Sequence, residues 1–142
     1  MSESKKHRGS CLCGAVHLTV DAFEGGIGAC HCSMCRKWGG GPFLAIDCGT
    51  GVRIDGEECV LAYDSSDWAQ RGFCSRCGTH LFYRLKASSQ YVVPVGLFDD
   101  HPDALFESQI FIDEKPDYYA FANRTANMTG AEVFAKYGPS EA

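Results

Sequence analysis

Nothing in this sequence could cross a bilayer as a helix. No run of eighteen apolar residues occurs, and a spanning helix needs about twenty. Positive charge is also in short supply. Thirteen Lys and Arg stand against eighteen Asp and Glu, for a formal net charge of −5. A general nucleic-acid binder needs a basic face for phosphate, so that class is excluded. The opening MSESKKHRGS has no apolar stretch of the secretory type. It reads as a short disordered lead-in, and the chain as cytoplasmic. No strand–helix–strand alternation appears, which excludes a doubly wound parallel sheet. Internal repeats and low-complexity tracts are absent too. What remains is a length of 142 residues that suits a single domain over 1–142.

The pattern that is present is mainly β. In AVHLTV the apolar Val16, Leu18 and Val20 alternate with Ala15, His17 and Thr19, the signature of a half-buried strand. PFLAIDC, CVLAY, HLFYRL, YVVPVG and ESQIFID read as further short strands. Turn residues punctuate them at GTG (49–51), DG (55–56), SS (88–89) and DDHPD (99–103). Strands at this spacing suit a sandwich or barrel of antiparallel strands. One short C-terminal helix is expected near 130–137. Thr129 and Glu132 make a capping box, Ala131, Val133, Phe134 and Tyr137 follow at helical spacing, and Gly138 and Pro139 end it.

Cysteine is where the composition departs from the ordinary. There are nine, an odd number, and seven fall in tight clusters. Clusters of the C-x-C and C-x-x-C type without a secretory signal point to metal rather than disulfides. Cys11 and Cys13 lie in CLCG, and Cys74 and Cys77 in FCSRCG. In the second pair, a C-x-x-C followed by Gly lets backbone amides turn toward the sulfurs. The two pairs together supply four thiolates, the closed shell of a structural zinc site. Such a site would tie the first strand to the middle of the sheet. Free thiols, or a disulfide across each pair, are the plain alternatives.

The stretch CHCSMC puts Cys30, Cys32 and Cys35 within six residues. If residues 30–32 are extended, Cys30 and Cys32 share one face, and a turn at Ser33-Met34 returns Cys35 to the same point. Three protein ligands with an open position is the arrangement of a catalytic zinc. Three other readings stay open. His31, His80, Cys48 or Cys59 would close the shell and make it structural; the cluster would be a redox thiol pair; or it would hold no metal at rest. The following RKWGGG reads as a basic loop. Arg36 and Lys37 would meet an anionic ligand, Trp38 would form a flat wall, and Gly39, Gly40 and Gly41 would let backbone approach a ligand closely. A solvated basic turn accounts for the same residues.

Three motifs occur in order: G-x-C-x-C-G (Gly9–Gly14), C-x-C-x-x-C-R-K (Cys30–Lys37) and R-x-F-C-x-x-C-G (Arg71–Gly78), with a weaker tail, IFIDEKPDYY. This order resembles the glutathione-dependent formaldehyde-activating enzyme family, which includes centromere protein V-like domains. The likeness spans about 9–121. It implies a mainly β fold of small antiparallel sheets stitched by zinc, shared with methionine sulfoxide reductase type B. It also implies two zinc ions per chain. Cys11, Cys13, Cys74 and Cys77 would hold the structural zinc, and Cys30, Cys32 and Cys35 the one at the active site. The implied activity is that of a carbon–sulfur lyase, S-(hydroxymethyl)glutathione synthase, with glutathione and formaldehyde or a related small aldehyde as partners. Arg36, Lys37 and Arg71, with the glycine run, would hold the glutathione carboxylates. The chain departs from the family pattern at Gln109, where a His is common, and at Tyr118, where a Trp is common.

Rival readings are a zinc-dependent glutathione- or thiol-binding module without turnover, and a structural zinc domain for protein contacts. The second lacks the long basic arm that would bind a polyanion. A sulfoxide reductase would need a nucleophilic cysteine outside the clusters. Cys59 reads as a small core residue in an apolar strand, and Cys48 has no neighbouring base or cation in sequence. His17 and His80 read as half-buried strand residues, Asp67 and Trp68 as a surface loop beside the C-x-x-C, and LFYR (81–84) as core.

Overall fold

The computed structural model describes residues 6–137. In chain order its strands are β1 (His7–Ser10), β2 (His17–Val20), β3 (Ile27–Cys30), β4 (Phe43–Asp47), β5 (Val52–Asp55) and β6 (Val60–Asp64). They continue with β7 (Ala69–Cys74), β8 (His80–Leu85), β9 (Gln90–Pro94), β10 (Phe106–Ile110) and β11 (Ala126–Met128). Two helices, α1 (Ser33–Gly39) and α2 (Gly130–Tyr137), complete the list with three single-turn 3-10 segments.

The strands form two sheets. The smaller is antiparallel, in the order β1-β2-β5. The larger has eight strands, in the order β11-β10-β3-β4-β9-β8-β7-β6. Val16, Leu18 and Val20 point inward from the small sheet and are fully buried. They meet Ile46, Leu81 and Val93 from the large one in a single core. Burying each such side chain contributes about 1.5–3 kcal/mol before ordering costs are counted. His17, between two of these positions, faces solvent.

The mainly β architecture and the C-terminal helix agree with the sequence reading, and four details correct it. Residues 7–10 are not a lead-in: they pair with β2 as a strand. The segment after CHC is not a loop but α1, a second helix. The large sheet is not purely antiparallel, because β10 runs parallel to both β3 and β11. Cys59 ends a 3-10 turn instead of sitting within a strand, and the strand that follows, β6, is a mostly exposed edge. The expected capping box is present at α2. The Thr129 amide donates to Glu132 Oε1 at 2.8 Å, and the Glu132 amide to Thr129 Oγ1 at 3.1 Å. The expected stop at Gly138 and Pro139 lies outside the described residues.

Among the described residues, no helix is long and apolar enough to cross a membrane.

Candidate metal centres

Seven sulfurs gather at two points. The ligand atoms of Cys11, Cys13, Cys74 and Cys77 all lie within 4.8 Å of one another. Cys11 Sγ is 3.6 Å from Cys13 Sγ, which is 3.7 Å from Cys74 Sγ. Those separations are far beyond a disulfide bond of about 2.05 Å. They match the edge of a tetrahedron of thiolates about 2.3 Å from a central ion. The local backbone explains the convergence. Gly14 and Gly78 each close the turn after their cysteine pair with φ of 79°. Only glycine takes that conformation freely. The turns aim amides at sulfur: Val16 N–H donates to Cys11 Sγ at 3.3 Å, and Arg76 N–H to Cys74 Sγ at 3.4 Å. Thr79 fastens the two halves together. Its Oγ1 accepts from the Leu12 amide at 3.1 Å and lies 3.1 Å from Cys77 Sγ.

At the second point only three sulfurs meet. Cys30, Cys32 and Cys35 have their sulfurs within 4.8 Å of one another. Cys30 ends β3. Cys32 is the N-cap of α1, its sulfur accepting from the Cys35 amide at 3.3 Å, and Cys35 is buried one turn in. Hydrogen bonds from Cys30 and Cys35 push the Cys32 thiol down, while those with Cys32 and Cys35, together with burial, push Cys30 up.

None of the four residues that might have closed the shell joins this cluster. His31 points away, fully buried. Its Nε2 lies 2.7 Å from Gln109 Oε1 and its Nδ1 2.8 Å from the Tyr119 hydroxyl. The Gln109 amide nitrogen donates to Thr125 Oγ1 at 2.9 Å, so its carbonyl faces His31. A carbonyl only accepts. His31 therefore carries its proton on Nε2 and accepts the Tyr119 O–H on Nδ1. Burial pushes its pKa below the ordinary value, in keeping with a neutral ring. His80 stacks on Trp38, ring centroids 4.1 Å apart. Cys48 is buried near β4, where burial pushes its thiol up to about 12.

The residues expected to hold a ligand separate into three groups. Lys37 is exposed on α1. Arg36 is half-buried, and its Nε–H donates to the His31 carbonyl at 2.9 Å. Arg71 is 5% exposed and lies under the cluster, donating to Cys35 Sγ from both terminal nitrogens at 3.5 and 3.6 Å. Trp38 and Tyr83 sit on that guanidinium with centroids 5.0 Å away. Gly40 ends α1 with φ of 85°, its amide donating to the Arg36 carbonyl, so helix capping accounts for its being glycine. Gly39 and Gly41 face open space.

Sequence reasoning missed three residues here. Gln109 was noted only as a departure, and Tyr119 and Tyr83 were not singled out. Tyr118 is 76% exposed, and it is its neighbour Tyr119 that reaches the site. Tyr83 carries no separate sequence signal: it sits in the LFYR stretch, where Leu81 and Phe82 are buried in the core and Tyr83 is half-buried.

Together these features define a class: a small mainly β protein organised by one closed centre of four cysteines and one open centre of three. A family model described as "Glutathione-dependent formaldehyde-activating enzyme" matches residues 6–114, and the chain belongs to that family. Relatives agree. An "Uncharacterized lyase" of Schizosaccharomyces pombe is 38% identical over 90% of this chain and 94% of the relative. A Halomonas elongata protein named "Putative glutathione-dependent formaldehyde-activating enzyme" is 30% identical over 82% of this chain and 81% of its own. A crystal structure of a Rhodobacter sphaeroides protein superposes with a TM-score of 0.57 at 28% identity, covering 65% of this chain and 87% of that one.

Proposed function

We propose that this chain is a zinc-dependent carbon–sulfur lyase that adds the thiol of glutathione to formaldehyde or a related small aldehyde. The observation that carries the reading is the contrast in donor number: four sulfurs at one centre and three at the other. Cys11, Cys13, Cys74 and Cys77 would hold a structural zinc, and Cys30, Cys32 and Cys35 a second one. A zinc with three protein thiolates supplies a place where a thiol loses its proton and becomes nucleophilic.

The surrounding residues suit that chemistry. Lys37 is an exposed cation on the helix that carries Cys35, and Arg36 keeps guanidinium donors beyond the one used on His31; both suit glutathione carboxylates. Open space at Gly39 and Gly41 lets a peptide backbone come close. In the addition, a sulfur lone pair forms the new C–S bond, the carbonyl π electrons move onto oxygen, and that oxygen takes a proton. In net terms that proton is the one the thiol gave up, so the addition balances with no other reactant.

Thiols add to formaldehyde unaided, so the test must separate catalysis from binding. Production of S-(hydroxymethyl)glutathione is followed against the uncatalysed rate, alongside native mass spectrometry with and without reduced glutathione. Two zincs per chain, a glutathione adduct that requires the second zinc, and a rate above background are expected. An adduct without acceleration would leave a thiol-binding module. A single zinc with no adduct would overturn the reading.

A further inference from the structure

Arg71 is a buried cation with an unusual set of neighbours. It has no carboxylate partner among the ion pairs of the described residues. Both terminal nitrogens are spent on one sulfur, Cys35 Sγ. Its Nε–H is buried with no partner at all. Two aromatic faces, Trp38 and Tyr83, hold the guanidinium flat at equal distance. Burying a cation in this way is costly unless an opposing charge stands beside it. Among the described residues the four-cysteine centre has no comparable cation: its sulfurs accept backbone amides, and Cys77 Sγ lies against Thr79 Oγ1.

We infer that Arg71 is a fixed counter-charge for the metal–thiolate form of the three-cysteine centre, acting on the metal through Cys35 as a positioning residue and not as a binder of substrate carboxylate. Three thiolates around a divalent ion leave one net negative charge, and an arriving thiolate makes it two. A buried guanidinium opposes that build-up where water cannot. Its two charged N–H···S bonds draw more donor strength from Cys35 than the single backbone amide draws from Cys32, so the three sulfurs are inequivalent. Cys35 is left as the weakest donor. Burial also leaves the guanidinium little access to a peptide ligand, which gives the carboxylates to Lys37 and Arg36. The inference rests on the metal reading of this centre, but not on glutathione or on any aldehyde.

The test uses full-length protein loaded with zinc or cobalt, as wild type, Arg71→Lys and Arg71→Met. Competition with a chromophoric chelator reads both centres in one titration, the four-cysteine centre reporting whether the fold is intact. In Arg71→Met the three-cysteine centre should lose at least tenfold in affinity while the four-cysteine centre stays within threefold. Arg71→Lys, which keeps the charge, should recover most of the loss. With cobalt, the sulfur-to-metal charge-transfer band of the weaker centre should move to lower energy in Arg71→Met, because Cys35 regains donor strength. Unchanged affinity and an unmoved band would overturn the inference while leaving the metal reading intact. Equal losses at both centres would make Arg71 a packing residue and overturn it too. Failure of the wild type to take a second metal would remove the metal reading and this inference together.

Discussion

The two cysteine centres gather the same donor atoms in opposite ways. The four-cysteine centre is built from two turns far apart in sequence, clamped by glycines at φ of 79° and by Thr79. Its ligands come from the β1–β2 turn of the small sheet and the β7–β8 turn of the large one, so a metal held there would be a cross-link. The three-cysteine centre comes from a single stretch, a strand end followed by a short helix. Local chain alone brings its sulfurs together, and its support is not covalent: a neutral His31 held by Gln109 and Tyr119, and a charged Arg71 on Cys35. A centre whose ligands are distant in sequence stabilises the fold. A centre whose ligands are adjacent stabilises little and stays free to exchange a ligand.

That contrast can be broken most forcefully by removing one ligand from each side. Cys74→Ser should cost several kcal/mol, since metal binding at a closed site is folding free energy, and lower the melting temperature by about 10 °C or more. Cys32→Ser should shift it by less than about 3 °C while abolishing the second metal, because a local loop gains little from cross-linking. Calorimetry and native mass spectrometry read the pair. If Cys32→Ser were the more destabilising change, the division of labour would be wrong.

A smaller effect sharpens the role of the support. Gln109→Leu removes the acceptor for His31 Nε2–H and leaves a buried donor unpaired, at about 1–3 kcal/mol. Thermal melting should detect the loss, and the three-cysteine centre should release metal to a chelator sooner than in wild type. The four-cysteine centre should not respond. Glycine substitutions divide the same way. Gly78→Ala forces a side chain into φ of 79° and should cost about 1–2 kcal/mol. Gly39→Ala, at the end of α1 in open space, should be neutral or gain up to about 1 kcal/mol. Denaturant titration compares the two.

The smallest effect concerns a cysteine in neither centre. Burial holds the Cys48 thiol up near 12. Below that value it is a thiol and a poor nucleophile. Iodoacetamide at pH 8 should leave Cys48 unmodified in the folded protein and alkylate it after denaturation, read by peptide mass mapping. Rapid labelling of native protein would return the sulfoxide-reductase reading to consideration.

The centres were legible in the sequence because metal-ligand spacing is a local property. C-x-C, C-x-x-C and their flanking glycines specify turn geometry without knowledge of the rest of the fold. The inward alternation of Val16, Leu18 and Val20 was legible for the same reason, as was the Thr129–Glu132 cap. What could not be read was long-range or graded. The helix α1 hides behind a cysteine as its cap and three glycines at its end, neither a usual helix signal. Arg71 shows its charge in the sequence but not its burial or its bonds to Cys35. Gln109 acquires meaning only once β10 lies parallel to β3, with Gln109 opposite Ala29 and Ile110 opposite Cys30.

That parallel pairing has a consequence for how the protein is made. The ribosome delivers CHCSMC long before the strand that supports it: His31 and Gln109 are 78 residues apart, and His31 and Tyr119 are 88 apart. At synthesis rates of about 5–20 residues per second, that interval lasts on the order of 4–18 s. Parallel pairing over such a distance is also slow to form. For those seconds the three thiols travel on a nascent chain without their scaffold, open to oxidation and to any passing soft metal. A helper that caps thiols, or a compartment that keeps them reduced, would therefore protect the three cysteines until their support arrives.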